Sequence, residues 1–118
     1  ARVTMCRNVM LRYHGTPLPA VVLNLSVGGA FVKLDEAAAR TRAIPQRLGD
    51  VCVLTMALVR RGRSNVKPWR FHSTVTLVWR AEPDSPYRFG MGLKFMSLSR
   101  PQRWQLKQFL RDEARAAA

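Results

Sequence analysis

Val21-Val22-Leu23-Asn24-Leu25-Ser26-Val27-Gly28-Gly29-Ala30-Phe31-Val32 reads as a strand, a two-glycine turn and a second strand. Side chains alternate along a strand, so Val21, Leu23 and Leu25 are expected on one face, with Asn24 and Ser26 on the other. Two small polar groups then stand side by side next to glycines, which can take φ > 0 and leave backbone N–H groups open. Such a corner suits a polar, anionic ligand. Asn, Ser and Gly are also the residues of any plain hairpin turn, and Asn24-Leu25-Ser26 is formally a glycosylation sequon, so the surroundings must decide.

Before the hairpin, Asn8 to His14 alternates Val9, Leu11 and Tyr13 against Met10, Arg12 and His14, and Gly15-Thr16-Pro17-Leu18-Pro19 reads as a loop. Beyond it, Ala30 to Asp35 completes the hairpin, Glu36 to Arg40 is a short helix-prone stretch, and Pro45 to Asp50 returns to turn chemistry. Val51 to Val59 is β-rich with apolar residues at both parities, as for a central strand. A basic loop with Arg60, Arg61, Arg63, Lys67 and Arg70 leads to a strand with Trp69, Phe71, Ser73, Val75, Leu77 and Trp79 on its inner face. After the turn Glu82-Pro83-Asp84-Ser85-Pro86, the residues Phe89, Met91, Leu93 and Phe95 predict the core face of a last strand. Gly90 and Gly92 fall opposite them, where glycine signals a bend or a close backbone approach. From Ser99 the period changes: Ser99 can cap a helix, Pro101 suits its first turn, and Trp104, Leu106, Phe109 and Leu110 recur at helical spacing. Six short strands and one terminal helix predict a mainly β fold, an antiparallel barrel with a helix packed on it.

At 118 residues the chain is long enough for one domain over positions 1–118 with a core of its own, and 47% apolar content excludes a disordered chain. Cys6 and Cys52 are expected as buried thiols, and two Cys with two separated His give no metal-site spacing. The longest apolar run is too short for a membrane helix, and no leader is visible, so a cytoplasmic location is the default expectation. Catalysis has no support: His14 and His72 lie on different strands without a carboxylate pair, and no phosphate-binding loop occurs. A net charge of +13 favours an anionic partner. Nucleic acid is the weaker choice, because the aromatic residues sit mainly at core positions rather than among surface arginines. On the terminal helix Arg100, Arg103, Lys107, Arg111 and Arg115 form a basic stripe opposite Leu106, Phe109 and Leu110. Trp104 beside it either packs on the barrel's end under an arginine or serves as an exposed partner anchor.

The hairpin through Phe31, the turn Arg47-Leu48-Gly49-Asp50 before an apolar strand, the strand ending Leu77-Val78-Trp79, and Phe89-Gly90-Met91-Gly92-Leu93-Lys94-Phe95 follow one another in the order and spacing of a known family. Over nearly its whole length the chain resembles the PilZ domain, a bacterial receptor module for cyclic di-GMP. The resemblance implies a six-stranded PilZ-like barrel with a C-terminal helix, no cofactor beyond the nucleotide itself, and a role in second-messenger signalling such as motility control. It also implies a ligand site built from two motifs. Asn24, Ser26 and Gly29, with Gly28 between them, match D/N-x-S-x-x-G; Arg2 stands where the second arginine of R-x-x-x-R belongs, the first falling ahead of Ala1.

On that reading Arg2 would pair with phosphate or a guanine edge, or stack on a base, and would order the arm that carries it. Asn24 would hydrogen-bond a guanine edge, Ser26 a phosphate or base, and Gly29 would let backbone approach the ligand. The ordered arm would then change the surface offered to a protein partner. The alternative is an adaptor of the same fold that works through protein contacts without binding cyclic di-GMP. Oligomeric state is open.

Overall fold

The computed structural model describes residues 2–60, 67–82 and 84–117. Along them run β1 (Val3–Tyr13), β2 (Thr16–Leu25), β3 (Gly29–Leu34), the short helix α1 (Glu36–Thr41), β4 (Val51–Leu58), β5 (Trp69–Arg80), β6 (Gly90–Phe95) and α2 (Arg100–Ala117). Among the described residues six strands close into a barrel in the order β1-β2-β3-β6-β5-β4, with antiparallel pairing throughout. This is the predicted antiparallel barrel with a C-terminal helix. Of the expected basic loop, Arg61 and Arg63 lie outside the described residues.

Inward-facing Leu11, Leu18, Val22, Leu25, Val32, Leu54, Phe71, Val75 and Leu77 are fully buried, and Leu106, Phe109 and Leu110 of α2 join the same cluster. Each such side chain contributes about 1.5–3 kcal/mol of burial, so the barrel interior is the main source of stability. Reciprocal capping starts α2: the Gln102 N–H donates to Ser99 Oγ at 3.2 Å, and the Ser99 N–H donates to Gln102 Oε1 at 3.2 Å. Two ion pairs fasten the other end of the helix. Arg7 of β1 reaches the buried Glu113 at 2.6 Å and lies over the Phe109 ring, while Arg60 lies 3.7 Å from Asp112.

Several strand limits and faces differ from the sequence expectation. β1 begins at Val3 rather than Asn8, which leaves Cys6 exposed instead of buried; Cys52 is buried. Burial pushes the Cys52 thiol up to about 11. The expected loop over Gly15–Pro19 is a two-residue turn at His14-Gly15, both with positive φ (50° and 79°), and β2 starts at Thr16. Pro17 and Pro19 fit within a strand because neither needs to donate. Their carbonyls accept from Arg42 Nη1 and the Asp35 N–H, so their missing N–H groups face the side where β3 has already turned into α1. β4 is not covered on both faces, since Val51 and Val53 point outward and are exposed. Phe89 precedes β6 with φ 67° and is only half-buried, held between the Arg40 and Arg88 guanidiniums.

Asp50 organises the turn into β4. Its carboxylate accepts the N–H groups of Gln46 and Arg47 at 3.0 and 3.1 Å and the Tyr13 hydroxyl at 3.2 Å. The bonds from Arg47, Gln46 and Tyr13 hold it below its ordinary acidity range. A depressed carboxylate contributes stability that is present above its unfolded pKa and is lost as pH falls through the folded one. The stability deficit of Asp50→Asn relative to the parent chain should therefore shrink as pH is lowered from neutrality to below about 4, read by urea denaturation at each pH.

The glycines at the β2–β3 turn differ in what they require. Neither Gly28 nor Gly29 has positive φ, contrary to the expectation for a glycine turn. At Gly29 the constraint is space, because a Cβ there would run into the Leu93 carbonyl oxygen of β6. At Gly28 the nearest atom is Ser26 Oγ at 3.8 Å. Gly29→Ala should lower the thermal midpoint by about 5 °C or more, and Gly28→Ala by far less, as scanning calorimetry would measure.

Candidate functional site

Strand register places the expected site on the outer wall of the barrel. Thr4 of β1 pairs with Asn24 of β2, Asn24 with Phe31 of β3, Phe31 with Gly92 of β6, and Gly92 with Trp79 of β5. One lateral row therefore crosses five strands. Among the described residues three register shifts lie along it, one in the β1–β2 ladder between Thr4 and Arg7 and two that re-aim side chains of the site. Between Val22 and Asn24 the β2–β3 register slips by one residue, and between Leu77 and Trp79 the β5–β6 register does the same. Such a bulge reverses the inward–outward phase beyond it. Val22 and Leu25 accordingly face the core, whereas Val21 and Leu23 do not, which corrects the face predicted for Val21, Leu23 and Leu25. Asn24 faces outward as expected, but because of the bulge rather than by simple alternation. Trp79, predicted on the core face, is turned out and is 50% exposed.

The middle of the row is a glycine floor. A Cβ at Gly92 would sit 3.2 Å from Trp79 Cβ, and one at Gly90 would sit 2.8 Å from the Phe31 ring. With no side chain between them, the Phe31 and Trp79 rings meet at 5.5 Å between centroids, and Tyr87 stands edge-on to Phe31 at 6.0 Å. The expected close backbone approach is met at Gly90, where a Cβ would sit 2.7 Å from the Tyr87 carbonyl oxygen, and the rings cover the bare strand beside it.

Beside this cover is a cleft of about 530 Å3 lined by Arg2, Asn24, Ser26, Gly28 and Gly29. All five residues singled out from the sequence are therefore gathered in one place. Phe31, Trp79 and Lys94 also line it and were missed; the glycines of β6 were the available signal, since bare strand next to aromatic residues invites a ring to cover it. A second groove of about 610 Å3, lined by Met5, Leu23 and Tyr87 together with Asn24, Phe31 and Trp79, continues from it. Both volumes lie in the range of small-molecule sites.

The polar groups differ in how firmly they are held. Ser26 Oγ donates to the Gly29 carbonyl at 3.4 Å and accepts from the Gly28 N–H at 3.3 Å, both long for hydrogen bonds, while the Ser26 N–H to Gly29 carbonyl bond of the turn is 2.9 Å. The backbone holds the turn, and the hydroxyl is loosely engaged. The half-buried Asn24 carboxamide has no partner among the described residues, nor do the Arg2 guanidinium and the Lys94 ammonium. The cleft offers cationic donors, a carboxamide, a hydroxyl and two aromatic rings tilted 47° to each other, with no acidic residue in its lining. That combination can bind a planar heterocycle joined to an anion. Among the described residues no three His, Cys, Asp or Glu side chains gather in a way that could hold a metal, and no helix is long and apolar enough to cross a membrane.

Three solved structures share this architecture. The Bacillus subtilis inhibitor of motility (MotI/DgrA) superposes with a TM-score of 0.72 at 13% identity over 98% of this chain and 49% of its own, so this chain spans about half of that protein. The PilZ domain of YcgR from Escherichia coli, solved with c-di-GMP, gives 0.68 at 17% identity over 99% and 91% of the two chains. The PilZ domain of CeSA from a cellulose-synthesizing bacterium gives 0.59 at 13% identity over 92% of each. No curated protein matches the sequence. At these identities the likenesses establish the fold, while the family model for the PilZ domain matches residues 1–112 directly; with the barrel, the bulged row and the Asn24-x-Ser26-x-x-Gly29 corner in place, this chain belongs to the PilZ domain family.

Proposed function

We propose that the chain is a cyclic di-GMP receptor that binds the nucleotide in the cleft between Arg2 and Trp79 and relays its level to a protein partner. The observation that carries this reading is the half-buried Asn24 carboxamide, unpartnered among the described residues, set between Arg2 and the Trp79–Phe31 wall. The carboxamide is open to the cleft, with a donor and an acceptor that no neighbouring side chain among the described residues engages, and a guanine edge would satisfy both. Arg2 and Lys94 supply charge for phosphate, Ser26 can re-aim its loosely held hydroxyl, and Trp79 offers a face for a purine. The excess of positive charge steers a dianion toward the cleft. β1 gives the relay a route, because the strand that Arg2 precedes also carries Arg7, whose partner Glu113 lies on α2.

A second reading is favoured by the turn itself. Ser26 bonds within its own turn and Gly29 is required by the approach of β6, so both are explained without a ligand. On that reading the chain is an adaptor that keeps the fold and works through protein contacts alone.

Isothermal titration of cyclic di-GMP into the protein at its full natural length separates the two. Saturable binding is expected. Arg2→Ala should weaken it by about one to two decades, Trp79→Ala by about one decade or more, and Ser26→Ala by less than either. Absence of heat with a correctly folded protein at high micromolar nucleotide would establish the adaptor reading instead.

A further inference from the structure

We infer that the outer face of α2 is a docking surface for an acidic helical segment of a partner protein. α2 carries five basic residues, Arg100, Arg103, Lys107, Arg111 and Arg115, all exposed. Its two acidic residues, Asp112 and Glu113, both turn inward, one toward Arg60 and the other to Arg7. The helix is therefore sorted by sign, with its acids used to attach it to the barrel and its cations all left on the open side. Among the described residues none of those five cations has an ion-pair partner.

This sorting works against the helix as an isolated element. Arg103, Lys107, Arg111 and Arg115 follow one another at i, i+4, a spacing at which like charges repel. Arg100 and Arg103 sit in the first turn, which holds no acidic residue, although the helix dipole favours acids there. A face kept only for solubility would mix signs and gain from i, i+4 pairs. Local choices that cost stability without a compensating intramolecular contact mark a surface used for something else.

Trp104 lies within the same face and is 55% exposed. It packs on the barrel through Trp69 at 5.5 Å, but among the described residues no arginine covers it, Arg60 lying instead over Trp69 at 4.4 Å. The exposed indole is thus propped from behind, so little freedom is lost when a partner covers it, as suits an interface anchor.

Geometry selects the occupant. Successive cations along the row are about 6 Å apart along the helix axis, in single file. A partner helix with carboxylates every fourth residue has the same repeat and matches the row charge for charge. A bilayer is a poorer match, because the apolar residues Leu106, Phe109 and Leu110 are spent inside the barrel, leaving only Trp104 to insert. Duplex nucleic acid would engage the cations but leave the indole idle.

The test is fluorescence anisotropy on the nucleotide-free protein, so its outcome is independent of cyclic di-GMP binding. The probe is a labelled helix-forming peptide long enough to span α2, with glutamate at every fourth position; its glutamine counterpart, phosphatidylserine vesicles and a short DNA duplex are measured in the same buffer. The glutamate peptide should bind about tenfold or more tighter than the glutamine one. The triple change Arg103→Gln, Lys107→Gln, Arg111→Gln should remove that advantage without lowering the thermal midpoint, and Trp104→Ala should weaken binding severalfold. Arg12→Gln, on β1, should leave it unchanged. Equal binding of the two peptides, an unaffected triple variant, or tighter binding to vesicles or duplex than to the glutamate peptide would overturn the proposal.

Discussion

Closure of the barrel constrains everything else in this molecule. Each strand is hydrogen-bonded on both sides, so a change of phase in one strand cannot be relaxed at a free edge. It must be absorbed where it arises, as a bulge. The slips at Leu23 and Val78 are such places, and each turns the next side chain from the interior to the outer wall. Without them Asn24 and Trp79 would point into a core already filled by Val22, Leu25 and Leu77. The candidate site is a product of that closure.

The same constraint explains why glycine recurs along β6 and at the start of β3. Gly29 admits the Leu93 carbonyl, Gly90 the Tyr87 carbonyl and the Phe31 ring, and Gly92 the Cβ of Trp79. In each case the missing side chain is a matter of space between neighbouring strands and not of unusual dihedral angles. Glycine costs a strand stability, and here that cost is offset by aromatic rings packed over the exposed backbone.

Attachment of α2 follows a different logic. Its apolar residues close one region of the barrel, but Arg7 and Arg60 fix which way its polar residues face. Losing Arg7 would leave the buried Glu113 carboxylate without this charge-assisted bond, an unfavourable change that the partial exposure of Arg7 moderates. With both acids committed inward, the outward charge of the helix has one sign. Two contacts that are internal to the fold thereby set the electrostatic character of an external face.

Much of this was legible from local patterns. Alternation in Val9–Leu11, in Phe71–Leu77 and in Met91–Phe95 fixed the core faces of three strands, and the change of period after Ser99 located α2 with its cap. The small polar residues beside two glycines marked Asn24, Ser26, Gly28 and Gly29, and the family resemblance added Arg2; the structure places all five around one cleft. Pro17-Leu18-Pro19 and the apolar Val51–Val59 misled, because strand prolines are permitted only where a neighbouring strand has ended, and one-sided burial depends on what else covers the sheet. The faces of Val21, Leu23 and Trp79, the tilted contact of Trp79 with Phe31 and the inward turn of Asp112 and Glu113 depend on which residue of a distant strand lies opposite. Period and composition act within a segment, so the elements and the chemistry of the corner could be read before any contact between segments was known. Register between segments is settled only when the barrel closes, and so the tertiary structure alone decided which side chains share the wall.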